Sequence, residues 1–139
     1  MLFVAIHRHT AESCPQDDPV GWHVVISPEH AAKCGVKVHG NYTAPPEHVS
    51  FHVVEADEYA QVVEYFRPVL TDGDITIIDM DKEAIIDANS LHSKNKPTPW
   101  NGWKVKGVPI CTIVRGHIQM RDGEPVGKPI GRMQKPILD

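Results

Sequence analysis

Apolar and polar side chains alternate with period 2 along three stretches of the first half of the chain, Leu2 to His9, Lys37 to Thr43 and His48 to Val54. Successive side chains of a strand point to opposite faces, so each stretch predicts a β-strand. Ala44-Pro45-Pro46-Glu47 lies between the second and third and reads as the connection of a hairpin. Helix signals fill the remaining gaps. Asp17-Asp18-Pro19 offers a helix start with proline in the first turn, and Ser27-Pro28-Glu29-His30-Ala31-Ala32-Lys33-Cys34-Gly35 combines a serine cap, a first-turn proline and a glycine terminator. Asp57 is placed to cap a third helix, whose apolar residues Tyr59, Val62, Val63, Phe66, Val69 and Leu70 follow the 3.6 period. Ile75 to Asp79 predicts a further strand.

The resulting order, strand-helix-strand-strand-helix-strand, is the βαββαβ pattern of a ferredoxin-like sheet with both helices on one face, an α+β arrangement. This half is similar to small dimeric α+β barrel proteins over residues 1 to 72, which sets a first domain at 1–73. Residues 74–139 read as a second, β-rich domain. Glu83 to Asp87 and Ile110 to Val114 are strand candidates, and His117 to Met120 and Glu124 to Val126 flank a turn at Arg121-Asp122-Gly123. Asn89 to Lys104 holds Pro97 and Pro99 and reads as an ordered loop, anchored if Trp100 and Trp103 are buried; Trp103 is expected to supply core.

Composition narrows the function classes. Hydrophobic residues at 41% and charged residues at 23% describe a globular protein, and no apolar run approaches the ~20 residues of a membrane helix. No secretory leader is evident at Met1 to His7, so a cytoplasmic location is expected. The net charge of −4 argues against a nucleic-acid partner, since phosphate binding needs a basic surface. Cys14, Cys34 and Cys111 are odd in number and widely spaced, which indicates neither a disulfide framework nor a zinc ribbon.

From Asp74 to Pro136 the runs Asp-Ile-Thr-Ile-Ile-Asp, Leu-His-Ser-Lys-Asn-Lys-Pro-Thr-Pro-Trp-Asn-Gly-Trp-Lys-Val-Lys-Gly, Thr-Ile-Val-Arg-Gly and Arg-Asp-Gly-Glu-Pro-Val-Gly-Lys-Pro resemble the carboxyl-terminal β domain of cyclic amidohydrolases of the dihydroorotase, hydantoinase and allantoinase type. In those enzymes the resemblance places catalysis on a metal-binding (β/α)8 barrel. Such a barrel needs roughly 250 residues and does not fit in the 139 of this chain. The resemblance therefore assigns no catalytic residue to the tail. It also implies a sheet edge that another chain or the first domain must cover.

Strand parity supplies the candidate chemistry. Leu2, Val4 and Ile6 form one apolar set on the first strand, opposed by Phe3, Ala5, His7 and His9. Val49, Phe51 and Val53 are likewise opposed by His48, Ser50 and His52, and Val38 and Tyr42 by His39, Asn41 and Thr43. With the apolar sets beneath the helices, the histidines would share the uncovered sheet face. His7, His9, His48 and His52, with Cys14 just beyond the first strand, are the candidate metal ligands, and His39 and Ser50 the candidate ligand-binding residues. A divalent metal such as zinc suits that set. The plainer alternative is a half-wet sheet face on which histidine has no function. Tyr42 and Phe66 are expected in the core.

Two functions remain open at this point. One is an accessory or assembly protein, a homodimer or larger oligomer that complements a separately encoded amidohydrolase barrel subunit. The other is a small metal- or ligand-binding enzyme working in a histidine-rich cavity. Neither requires a membrane.

Overall fold

Short-range capping bonds set the helix boundaries in the computed structural model, which describes residues 1–14 and 19–131. In α2 (Pro28–Lys33) Ser27 Oγ accepts from the His30 N–H at 3.1 Å, and Gly35 turns the chain at φ 70°. α1 spans Pro19–Val25; Asp17 and Asp18, expected at its start, lie outside the described residues, as does the tail after Gly131. α3 (Tyr59–Phe66) is capped by Glu58 rather than by the expected Asp57. The reason is Gln61, whose Oε1 accepts from the backbone N–H groups of both Asp57 and Glu58 at 2.9 Å. Pro68 has no N–H to continue the helix, and a 3-10 turn at Arg67–Val69 replaces the expected helical run to Leu70.

The strands are β1 (Leu2–His9), β2 (Lys37–Ala44), β3 (Val49–Glu55), β4 (Gly73–Ile85), β5 (Lys104–Val114), β6 (His117–Arg121) and β7 (Glu124–Pro125). They form one mostly-β antiparallel sheet in the order β2-β3-β1-β4-β5-β6-β7, with few and short helices. β4 is the shared strand. Its first seven residues pair with β1, from Gly73 opposite His9 to Asp79 opposite Phe3, while its other edge pairs with β5. The edge of the tail that needed covering is thus covered by β1. Glu83 to Ile85, expected in a separate strand, continue β4 after a register shift near Asp79.

Among the described residues the core lies on one face of the sheet. Phe3, Ala5, Val54, Ile75, Ile77 and Ile113 are buried against Val25, Val62, Tyr65 and Phe66 of the helices. This inverts the expected sheet orientation. The helices cover the face that carries His7 and His52, both fully buried, and leave Leu2, Val4, Ile6, Phe51 and Val53 half-buried or exposed on the other. Register explains it. Ala5 faces His52 on one side and Ile77 on the other, so the strongly apolar pair Ile75 and Ile77 commits Phe3, Ala5 and His7 to its own face. β1 is nonpolar on both faces, and its parity alone could not choose between them.

Three aromatic expectations are corrected with it. Tyr42 is 61% exposed because it shares the open face with Phe51, and Trp100 and Trp103 are 54% and 59% exposed. The loop between β4 and β5 is held by its backbone instead: Gly102 N–H donates to Ile86 O at 2.7 Å, Ile86 N–H to Trp103 O at 2.9 Å, and Ala88 N–H to Asn101 Oδ1 at 2.7 Å.

At Gly73 the backbone of β4 lies close against that of β1. A Cβ there would lie 1.9 Å from Arg8 O and 3.1 Å from His7 Nε2, and the first of these is backbone that cannot swing away. Gly73→Ala is expected to destabilise the chain by roughly 2–3 kcal/mol, read as a lower midpoint in urea unfolding at unchanged slope. An unchanged midpoint would show that the two strands are not in this close contact.

Candidate functional site

β1 and β3 deliver histidines to the same side of the sheet because their register keeps odd positions of one against even positions of the other, with His7 opposite Ser50 and Ala5 opposite His52. His9, at the end of β1, meets His48, the residue before β3, their ring centroids 5.1 Å apart and nearly perpendicular. His7 and His9 lie 5.4 Å apart along the strand. Trp22 of α1 lies over them, stacked on His7 at 5.9 Å and edge-on to His52 at 5.4 Å. Phe66 of α3 packs edge-on against His52 at 4.9 Å.

A cavity of 370 Å³ opens beside this cluster, lined by His9, Cys14, Trp22, His48 and Ser50 among others. The ligand atoms of His9, Cys14 and His48 all lie within 4.8 Å of one another. Tetrahedral zinc bonds of about 2.0–2.3 Å place ligand atoms about 3.5 Å apart, a difference that side-chain rotation can close. The Nδ1 atoms of His9 and His48 are buried without a hydrogen-bond partner among the described residues, as are both ring nitrogens of His7. Buried imidazole nitrogens normally find a partner, so these atoms are open for one.

His48 also pays a conformational cost to be there. It follows the 3-10 turn Pro45–Glu47 with φ 52° and ψ 42°, the left-handed region that favours glycine. A residue held in such a conformation points toward a use for its side chain.

Burial, and to a smaller extent the neighbouring His9, pushes the His7 imidazole down to about 4 from its usual 6.5. His52 is likewise lowered to about 4 by burial, then by His7. His9 is lowered by burial and by His48, with Asp72 opposing. All three are therefore neutral near pH 7, the state in which an imidazole nitrogen can ligate a metal or accept a proton.

The sequence candidates divide as follows. His7, His9, His48, His52, Cys14 and Ser50 come together, though beneath α1 and α3 rather than on the open face. His39 does not join them. A register shift between Val38 and Gly40 turns it to Glu55, whose Oε2 lies 2.9 Å from His39 Nε2. Trp22 and Asn41 were missed as parts of the site. Trp22 carried no signal beyond being aromatic in a short helix, whereas Asn41 already shared the parity of the histidines on the neighbouring strand.

No family model matches the chain. Part of it is related to cyclic amidohydrolases. Sixty residues, 43% of this chain, are 48% identical to a dihydroorotase of Pyrococcus horikoshii, and 54 residues are 45% identical to a dihydroorotase of Bacillus subtilis. Among solved structures, one of a D-hydantoinase matches 49% of this chain at 28% identity and a TM-score of 0.39, and the L-hydantoinase (dihydropyrimidinase) of Arthrobacter aurescens matches 41% at 35% identity and a TM-score of 0.39. The chain spans only 14% and 13% of the length of the two dihydroorotases. Among the described residues no helix is long and apolar enough to cross a membrane.

The lowered histidines set the acid limit of the fold. For His7 and His52 the folded value of about 4 lies below the ordinary 6.5, so between those pH values the unfolded chain binds protons that the folded chain excludes. Stability is therefore complete above the ordinary value and falls toward the lowered one, by up to roughly 1.4 kcal/mol per pH unit for each histidine. Denaturant titrations of chelator-treated protein across that interval should show the slope, and His7→Met should remove about half of it. A flat profile would contradict the burial of these rings.

Proposed function

We propose that this chain is a metal-binding protein that holds one divalent first-row ion, zinc being the best match, between His9, Cys14 and His48, with a fourth position turned to the cavity. The observation that carries this reading is the convergence of two imidazoles and a cysteine sulfur within 4.8 Å at the wall of a 370 Å³ cavity. A thiolate and two imidazoles suit zinc, and three protein ligands leave a position for water or a substrate. The cavity is large enough for a small organic ligand and has both apolar and polar walls. The strand order β2-β3-β1-β4 with helices on one face supports a ferredoxin-like reading of the first half, and the partial homology supports a tail derived from the β domain of a cyclic amidohydrolase. On this reading the tail braces the sheet and contributes no ligand.

A second reading, that the chain is an accessory or assembly protein, is favoured by a separate observation. The open sheet face presents Val4, Ile6, Phe51 and Val53 in adjacent registered positions, with Tyr42 beside Phe51. Contiguous apolar surface of this kind commonly marks an interface. A second copy, or a cyclic amidohydrolase subunit, would be the partner. Light scattering of the wild type and of Phe51→Asp tests it: an oligomer that the variant dissolves supports the reading, and a wild type monomeric at micromolar concentration removes the self-associating form of it.

Metal binding is tested directly. Chelator-stripped protein titrated with zinc should take up one equivalent, and cobalt in its place should give a thiolate-to-cobalt charge-transfer band that Cys14→Ser abolishes. His48→Gly should lose the metal while gaining about 1 kcal/mol of metal-free stability, because glycine adopts the left-handed conformation without strain. Binding unchanged in both variants would overturn the assignment.

A further inference from the structure

Behind the cavity wall three polar side chains form a chain of hydrogen bonds that the metal reading does not use. Ser50 Oγ lies 3.0 Å from His52 Nε2, and His52 Nδ1 lies 2.9 Å from Asn41 Oδ1. The direction of these bonds follows from the atoms. An amide oxygen can only accept, so His52 Nδ1 carries the ring proton and Nε2 is left as an acceptor. Ser50 must then donate its hydroxyl proton to Nε2, which leaves the serine oxygen lone pairs free. Ser50 is a wall residue of the 370 Å³ cavity, although only 2% of its surface is exposed, and no other hydrogen bond to its hydroxyl is formed among the described residues.

We propose that Ser50 is a nucleophile for acyl transfer from small carboxylic esters, with His52 as its general base and Asn41 as the residue that positions the imidazole. The arrangement of nucleophile, base and orienting acceptor within hydrogen-bond reach is the one that activates a hydroxyl at neutral pH. It does not depend on a bound metal. Trp22 and Phe66 both pack edge-on against the His52 ring, at 5.4 and 4.9 Å, and hold it in place.

The step balances with water as the only co-reactant. Ser50 Oγ bonds to the ester carbonyl carbon as its proton passes to His52 Nε2. The bond between that carbon and the leaving oxygen then breaks, and the leaving oxygen takes the proton from His52. Water repeats the sequence, giving its proton to His52 and its oxygen to the acyl carbon, which releases the acid and restores Ser50.

A small fluorophosphonate, which phosphonylates activated serines with loss of fluoride, tests the proposal in protein kept in chelator, so that the outcome is independent of the metal site. Intact-mass and peptide analysis should find a single label on Ser50, absent from Ser50→Ala. His52→Gln should slow labelling by roughly 10²-fold or more. His52 is buried and its variant could fail to fold, so exposed Asn41 supplies a second comparison: Asn41→Ala should slow labelling, and Asn41→Asp, which keeps an acceptor for Nδ1, should restore it. A wild type that takes no label, or takes it elsewhere, overturns the proposal, as does labelling indifferent to the acceptor at position 41.

Discussion

The pairing of β1 between β3 and β4 is the constraint on which the rest of the molecule depends. Six residues of β1, Phe3 to Arg8, are paired on both edges at once, and each pair fixes which side of the sheet its neighbours occupy. Because side chains alternate with period 2, a slip of one residue would carry His7, His9, Ser50 and His52 out from under α1 and α3 and replace them with Val4, Ile6 and Phe51. The cavity, the neutral state of the imidazoles and the closure of Trp22 over them all follow from that single register.

The same constraint separates what the sequence could reveal from what it could not. The limits of α2 were legible because they carry their own local chemistry, at Ser27, Pro28 and Gly35. The gathering of histidines from β1 and β3 was legible for the same reason, since parity is a property of each strand. The side of the sheet they occupy was not. That depends on which of two apolar sets outcompetes the other for the helices, and the decision was made by Ile75 and Ile77, dozens of residues away. Trp103 misled in the opposite sense: its bulk invited burial, but two backbone bonds to Ile86 hold the loop without it.

β4 joins the two ends of the sheet. An uncovered row of N–H and C=O groups is a general docking element. β1 covers one edge of β4 and β5 the other, which makes one continuous sheet of all the strands.

That sharing also has a consequence for the order of events during synthesis. β1 is made before its partners, which begin at Val49 and Gly73, so one of its edges stays open until β3 has emerged and the other until β4 has. Pairings of such long sequence separation form slowly. The histidine cavity, whose walls come from residues 9 to 50, therefore waits for β3 to pair with β1 and cannot form with β1 alone.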